Sequence, residues 1–88
     1  MQVELSPRAL RDLKSMEKGA ASRILSGLSV LEMSALPGPP VIRKVRGRDA
    51  TWRLRVGEYR ALFERGTEGW VILRVVGRKD LEKALRNL

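Results

Sequence analysis

Arg53, Arg55 and Arg60 lie in the stretch WRLRVGEYRALFE, residues 52–64, where basic side chains alternate with or flank apolar ones. A guanidinium is planar, stays charged and grips two phosphate oxygens at once, so arginines at this spacing suit phosphate binding and the stabilisation of charge that builds up on phosphorus. Further cations flank them. Arg43, or Lys44 and Arg46, precede the stretch in VIRKVRG, and Arg78 and Lys79 follow Gly77 near the C-terminus. The chain has 88 residues, 18 Lys plus Arg against 10 Asp plus Glu, and a formal charge of +8. That balance points to a polyanionic partner, nucleic acid or an acidic protein segment. No basic amphipathic helix speaks for an anionic membrane. There is no Cys and no His, which excludes disulfides, thiolate catalysis, zinc sites and the usual general base. Any chemistry must run on Arg, Lys, Tyr and carboxylates, with no metal and no small-molecule cofactor.

These cations need a scaffold that turns them outward together. Trp52, Leu54 and Val56 alternate with Arg53 and Arg55, the pattern of a half-buried strand, so the arginines emerge on the face opposite the apolar set. Gly57-Glu58 fits a two-residue type II′ turn, where Gly supplies the positive φ of the first central position. On the return strand, Tyr59 to Glu64, Arg60 has the opposite parity to Tyr59, Ala61 and Phe63 and can join Arg53 and Arg55, depending on register.

The rest of the chain supplies what covers the other face. Gln2 to Leu5 reads as a short strand, and Ser6-Pro7 as a helix cap followed by proline at the first helical position. Ala9, Leu10, Leu13 and Met16, then Ala21, Ile24, Leu25, Leu28 and Leu31, recur at helical spacing with a stop at Lys18-Gly19, which predicts a helical hairpin. LPGPP, residues 36–40, forces an extended crossing. Val41 to Val45 is a basic, β-branched strand. Trp70 to Val76 is the most apolar strand and is expected at the centre of the sheet. Leu81, Ala84, Leu85 and Leu88 mark a last helix. The predicted fold is α+β, with an antiparallel four-stranded sheet plus a short N-terminal strand, an N-terminal helical hairpin and a short C-terminal helix, in the order β-α-α-β-β-β-β-α. No apolar run approaches the ~20 residues that span a bilayer, and MQVELSPRAL lacks a signal-peptide core, so a cytoplasmic protein is expected.

The plainest account of the arginines is a solvated sheet face. Like charges directly opposite on neighbouring strands repel, however, and only Asp49, Glu58 and Glu64 are near in sequence to offset them, so the cluster points to a missing anion. Trp52 and Trp70 are expected to pack in or beside the core. Tyr59 could pack, bind a phosphate or stack on a base.

Over nearly its full length the chain resembles the RelE/ParE superfamily of type II toxin–antitoxin toxins. The resemblance is carried by SPRALRDL after the first strand, VIRKVRG, WRLRVGEYRALFE, and VILRVVGRKD before a short helix. The segment RLRVGEYR is its most specific part, similar to the family's basic–apolar–basic strand, Gly turn and Tyr-Arg pair. This implies that residues 1–88 form a single RelE-like toxin domain. RelE-type members are implied to be metal-free endoribonucleases that enter the ribosomal A site, cut mRNA and so inhibit translation; ParE-type members inhibit DNA gyrase instead. Implied partners are a cognate antitoxin, a short acidic chain, together with the ribosome and mRNA. A non-catalytic RNA-binding domain is a further alternative.

By position, Arg53 and Arg55 match the family strand's paired basic residues, Arg60 the arginine after the tyrosine, and Arg78 or Lys79 the basic residue after the last strand's glycine. The RelE-type C-terminal tyrosine has no counterpart, since the last helix reads LEKALRNL. On the nuclease reading, Arg60 and Arg55 clamp the scissile phosphate, and Lys79, an ammonium among cations, or a ribosomal group serves as base. Arg53, Arg78, Tyr59, Lys44 and Arg46 are the expected substrate-binding set.

Overall fold

The computed structural model describes residues 2–88. The elements follow in the order β1 (Gln2–Leu5), α1 (Pro7–Lys14), α2 (Lys18–Leu28), a 3₁₀ turn (Ser29–Glu32), β2 (Ile42–Lys44), β3 (Thr51–Val56), β4 (Tyr59–Arg65), β5 (Gly69–Gly77), a second 3₁₀ turn (Arg78–Asp80) and α3 (Leu81–Arg86). No helix among the described residues is long and apolar enough to cross a membrane.

The five strands lie in the order β1-β5-β4-β3-β2. The four strands β2 to β5 pair antiparallel, as short connections allow, while β1 runs parallel to β5, the last strand in the sequence, and the helices and three other strands lie between the two in the chain. The expectation of a central β5 is corrected by this order: β4 is the middle strand, and β5 lies between β4 and β1. The strong apolarity of β5 has another cause. It is covered on both sheet faces, by α1 on one and by α3 on the other.

On the first face Ile24 and Leu31 meet Leu54, Phe63, Ile72 and Val75, all essentially inaccessible to water. Trp52 stacks at 6.3 Å on Phe63, and Trp70 meets the same ring edge-on at 5.3 Å, so both tryptophans pack as expected. On the second face Leu62 and Val76, of opposite parity, form a smaller cluster with Val45, Leu81 and Ala84. The C-terminal helix therefore crosses to the arginine side of the sheet and covers part of it. A register shift between Leu62 and Phe63 leaves Leu73 without a direct partner on β4, which twists β5 at that point.

Ser6 explains how β1 hands over to α1. Its hydroxyl accepts from the Ala9 N–H at 3.1 Å, capping the helix, and donates to the Leu73 carbonyl at 2.9 Å. Beyond β1 the edge of β5 is closed by Asp12, whose carboxylate accepts from the Val75 N–H at 2.9 Å and from Arg74 Nε and Nη2 at 2.9 and 3.1 Å. The first helix stops before the expected Lys18-Gly19 break: Ser15 is its C-cap, with its hydroxyl on the Asp12 carbonyl, and α2 already begins at Lys18. Leu10 and Leu25, expected in the apolar stripes, are 42% and 50% exposed, so the buried stripe is narrower than the sequence period suggests.

Candidate nucleic-acid interface

The register of the β3–β4 hairpin decides which cations meet. Gly57 has φ +58°, and among the described residues none other than glycine has positive φ, so the turn has its left-handed residue at the first central position only, as type II′ requires. That turn sets Val56 opposite Tyr59 and Arg55 directly opposite Arg60. One strand further out, Arg43 of β2 is directly opposite Arg53 of β3. Two cross-strand arginine pairs therefore stand on the outer face, two residues apart along β3, which at the usual strand rise is about 7 Å.

Arg60 is held from below. Its Nη1 donates to the Gly57 carbonyl at 3.0 Å and to the Tyr59 carbonyl at 2.9 Å, while its remaining N–H groups have no hydrogen-bond partner among the described residues. Partial burial, followed by the charges of Arg55, Arg78 and Arg53, lowers the affinity of this guanidinium for its proton; Glu58 acts weakly in the other direction. Burial contributes most, and the three neighbouring arginines add to it in the same direction. Arg78 comes within reach because its backbone N–H donates to the Glu58 carbonyl at 2.8 Å, docking the turn after β5 against the hairpin loop.

No carboxylate lies within ion-pair distance of Arg43, Arg53, Arg55 or Arg60 among the described residues. Arg74 is the contrast. Its contacts with Asp12 form a two-pronged ion pair, and the hydrogen bond with Asp12 makes it hold its proton more tightly than usual. One arginine on this sheet is thus paired and structural, whereas the four in the cross-strand pairs are left facing open space. They line a shallow cavity of about 300 Å³ whose wall is Pro40 and Val41.

The other expected site residues are placed differently. Lys44 is opposite Trp52, on the helix-covered face, with Nζ 6.0 Å from the ring centre. Arg46 follows β2 and lines a separate groove toward α3. Tyr59 has the parity of Ala61 and packs half-buried against the main core, so its ring is on the far side of the sheet from Arg60. Lys79 is exposed on the 3₁₀ turn next to Arg78 and is not among the charges that act on Arg60. Arg43 is the member of the VIRKVRG segment that the register selects, while the Asp12–Arg74 pair, 62 residues apart in sequence, carried no local signal. Among the described residues no group of acidic side chains is placed to hold a metal ion.

Fixed, permanently charged donors on an open surface are suited to holding an anion such as phosphate rather than to moving protons. The sequence model of the family described as the ParE toxin of the type II toxin–antitoxin system ParDE matches residues 3–82. No curated protein sequence matches the chain. Among solved structures it is similar to the RelB–RelE antitoxin–toxin complex from Methanococcus jannaschii, with 24% identity and a TM-score of 0.72 over 92% of this chain and 96% of that one. It is also similar to the RelBE2 toxin–antitoxin complex from Mycobacterium tuberculosis, with 26% identity, a TM-score of 0.68 and coverage of 88% and 96%. The isolated RelE toxin of E. coli matches at 18% identity and a TM-score of 0.65 over 98% and 97%. The shared feature is the α+β fold, a five-stranded sheet with three helices.

Proposed function

The chain belongs to the ParE toxin family of type II toxin–antitoxin systems, and from that premise we propose that, as one domain, it acts as a ribosome-dependent endoribonuclease cutting mRNA in the A site. The observation that carries this reading is the unneutralised pair Arg55–Arg60 on an open face, with Arg53, Arg43 and Arg78 beside it. Arg60 and Arg55 grip the scissile phosphate. In the reaction the 2′-OH oxygen forms a bond to the adjacent phosphorus, the bond from phosphorus to the 5′-oxygen breaks, and a cyclic phosphate and a 5′-hydroxyl result. The proton of the 2′-OH goes to a base, and a proton is delivered to the departing oxygen. Two guanidinium groups offset the extra charge on the pentavalent phosphate, which is where fixed donors contribute most to rate. Lys79, or a group of the ribosome, takes the 2′-OH proton, and the ribosome holds the message in line for attack.

The partner in this scheme is a short acidic antitoxin that neutralises the basic face, as antitoxins accompany the toxins in the Methanococcus jannaschii and Mycobacterium tuberculosis complexes. The site test is to incubate the protein with programmed ribosomes and map message ends. Cuts confined to the A-site codon, lost in Arg60→Ala, are expected; full cleavage by that variant would remove Arg60 from the site.

Inhibition of DNA gyrase is the second reading, favoured by the family description and by α3, which carries no tyrosine. A supercoiling assay separates the two. Inhibition of gyrase with intact messages would favour this reading over the nuclease.

A further inference from the structure

Arg43 and Arg53 line two hollows at once. One is the shallow arginine cavity already described; the other is a larger groove of about 780 Å³ between β2 and α3. On the arginine side its apolar lining is Val45, Leu81 and Leu85, which cluster together on the α3 face, while Ile42 and Trp52, of opposite strand parity, border it from the other face and prolines 37 and 39 complete the lining. Its cations on the arginine side are Arg43 and Arg53, joined by Arg46 after β2, with Glu82 as the single acidic side chain in the lining. A polyanion held at Arg55 and Arg60 that continues past the next arginine pair is led into this groove. The ~7 Å step from one pair to the next along β3 is comparable to the separation of consecutive phosphates in an extended single strand.

Resting on the RNA reading above, we propose that the β2–α3 groove is a second nucleotide subsite: Arg43 and Arg53 hold the phosphate next to the one clamped by Arg55 and Arg60, and the groove takes the adjoining base. Its chemistry suits an unpaired base. An apolar wall receives a ring face, a carboxylate can accept from an exocyclic amino group, and arginines beside it meet the backbone. A duplex does not fit this description, because its bases are already stacked and paired and α3 stands beside the track. Arg43 thereby becomes a substrate-positioning residue for the flanking nucleotide.

The test uses uncleavable single-stranded oligonucleotides, with 2′-deoxy substitution throughout, that grow by one nucleotide at a time, and reads binding by fluorescence anisotropy. Wild-type protein is expected to gain about tenfold in affinity at the length that first reaches the second subsite, the scale of one charge-assisted phosphate contact. Arg43→Ala removes that step and leaves shorter oligonucleotides bound as before, while Arg43→Lys restores part of it. The salt dependence of log K for the longer chain falls in slope by about 0.7 in Arg43→Ala, the value for one phosphate of a single strand. An abasic flanking nucleotide also loses part of the step. Arg23→Ala, on the exposed side of α2, leaves every length unchanged.

An affinity step that persists in Arg43→Ala, while Arg60→Ala weakens binding at all lengths, overturns the subsite and leaves the RNA reading standing. Binding unaffected by either variant overturns both. Equal binding of a hairpin duplex of the same length also overturns the subsite.

Discussion

Replacing Arg55 by threonine should make this protein more stable while destroying its proposed activity. Arg55 is exposed, directly opposite Arg60, and neither side chain has a carboxylate within ion-pair distance among the described residues. Like charges opposed across an antiparallel pair destabilise by roughly 0.2–1 kcal/mol, and threonine suits an exposed strand position, so Arg55→Thr is expected to gain ~0.5–1 kcal/mol at low salt. For a domain of this size that raises Tm by roughly 2–8 °C. The lever is salt rather than pH. A guanidinium whose proton affinity is lowered in the fold destabilises the folded state wherever the unfolded chain is protonated, and that penalty disappears only as pH rises through the guanidinium range, so it is constant between about pH 5 and 9. Raising NaCl to about 1 M shortens the screening length to ~3 Å and should bring wild type and variant to within ~0.3 kcal/mol. Urea melts of both proteins at low and high salt measure the difference. A variant less stable than wild type at low salt, or a gain that salt does not touch, would refute the view that the arginine face is electrostatically strained and waiting for an anion.

Asp12→Ala removes the acceptor of both Arg74 contacts and of the Val75 N–H; allowing for the partial exposure of the pair, a loss of ~2–3 kcal/mol is expected from the urea midpoint, and a change under ~0.5 kcal/mol would show that water replaces it freely. Gly57→Ala forces a side chain into a φ of +58° and should cost ~1–2 kcal/mol, with weaker RNA binding because the turn sets Arg55 against Arg60; an unchanged melting curve would disprove the turn assignment. Gly69→Ala would place a Cβ against the Gln2 backbone, and the resulting displacement of β1 should cost ~1–3 kcal/mol, read by faster amide exchange in β1.

What could be read from the sequence was local. The alternation in TWRLRV, the glycine at the turn and the parity of Arg60 fix the hairpin within a few residues, so the pairing of Arg55 with Arg60 follows from nearest-neighbour geometry. Ser6-Pro7 likewise identifies its helix start by capping chemistry alone. Contacts between distant segments left no such mark. Nothing in QVEL states that it will run parallel to β5, and nothing in Asp12 states that it will close the edge of that strand. The centre of the sheet was misplaced because apolarity records how many faces are covered, not position: α3 covers the outer side of β5, so β5 is apolar without being the middle strand. Tyr59 was open from sequence because its neighbour Arg60 faces outward, and strand pleat sends the two to opposite sides.

The central claim is that the arginine face supports cleavage of RNA by its own 2′-OH. It is tested most directly on programmed ribosomes carrying a message with a single 2′-deoxy nucleotide at the mapped A-site cut, alongside the all-ribose message and the Arg60→Ala protein. The account predicts cleavage of the all-ribose message alone, no cut at the deoxy position, and no cut by the variant. Undiminished cutting at the deoxy nucleotide would contradict it.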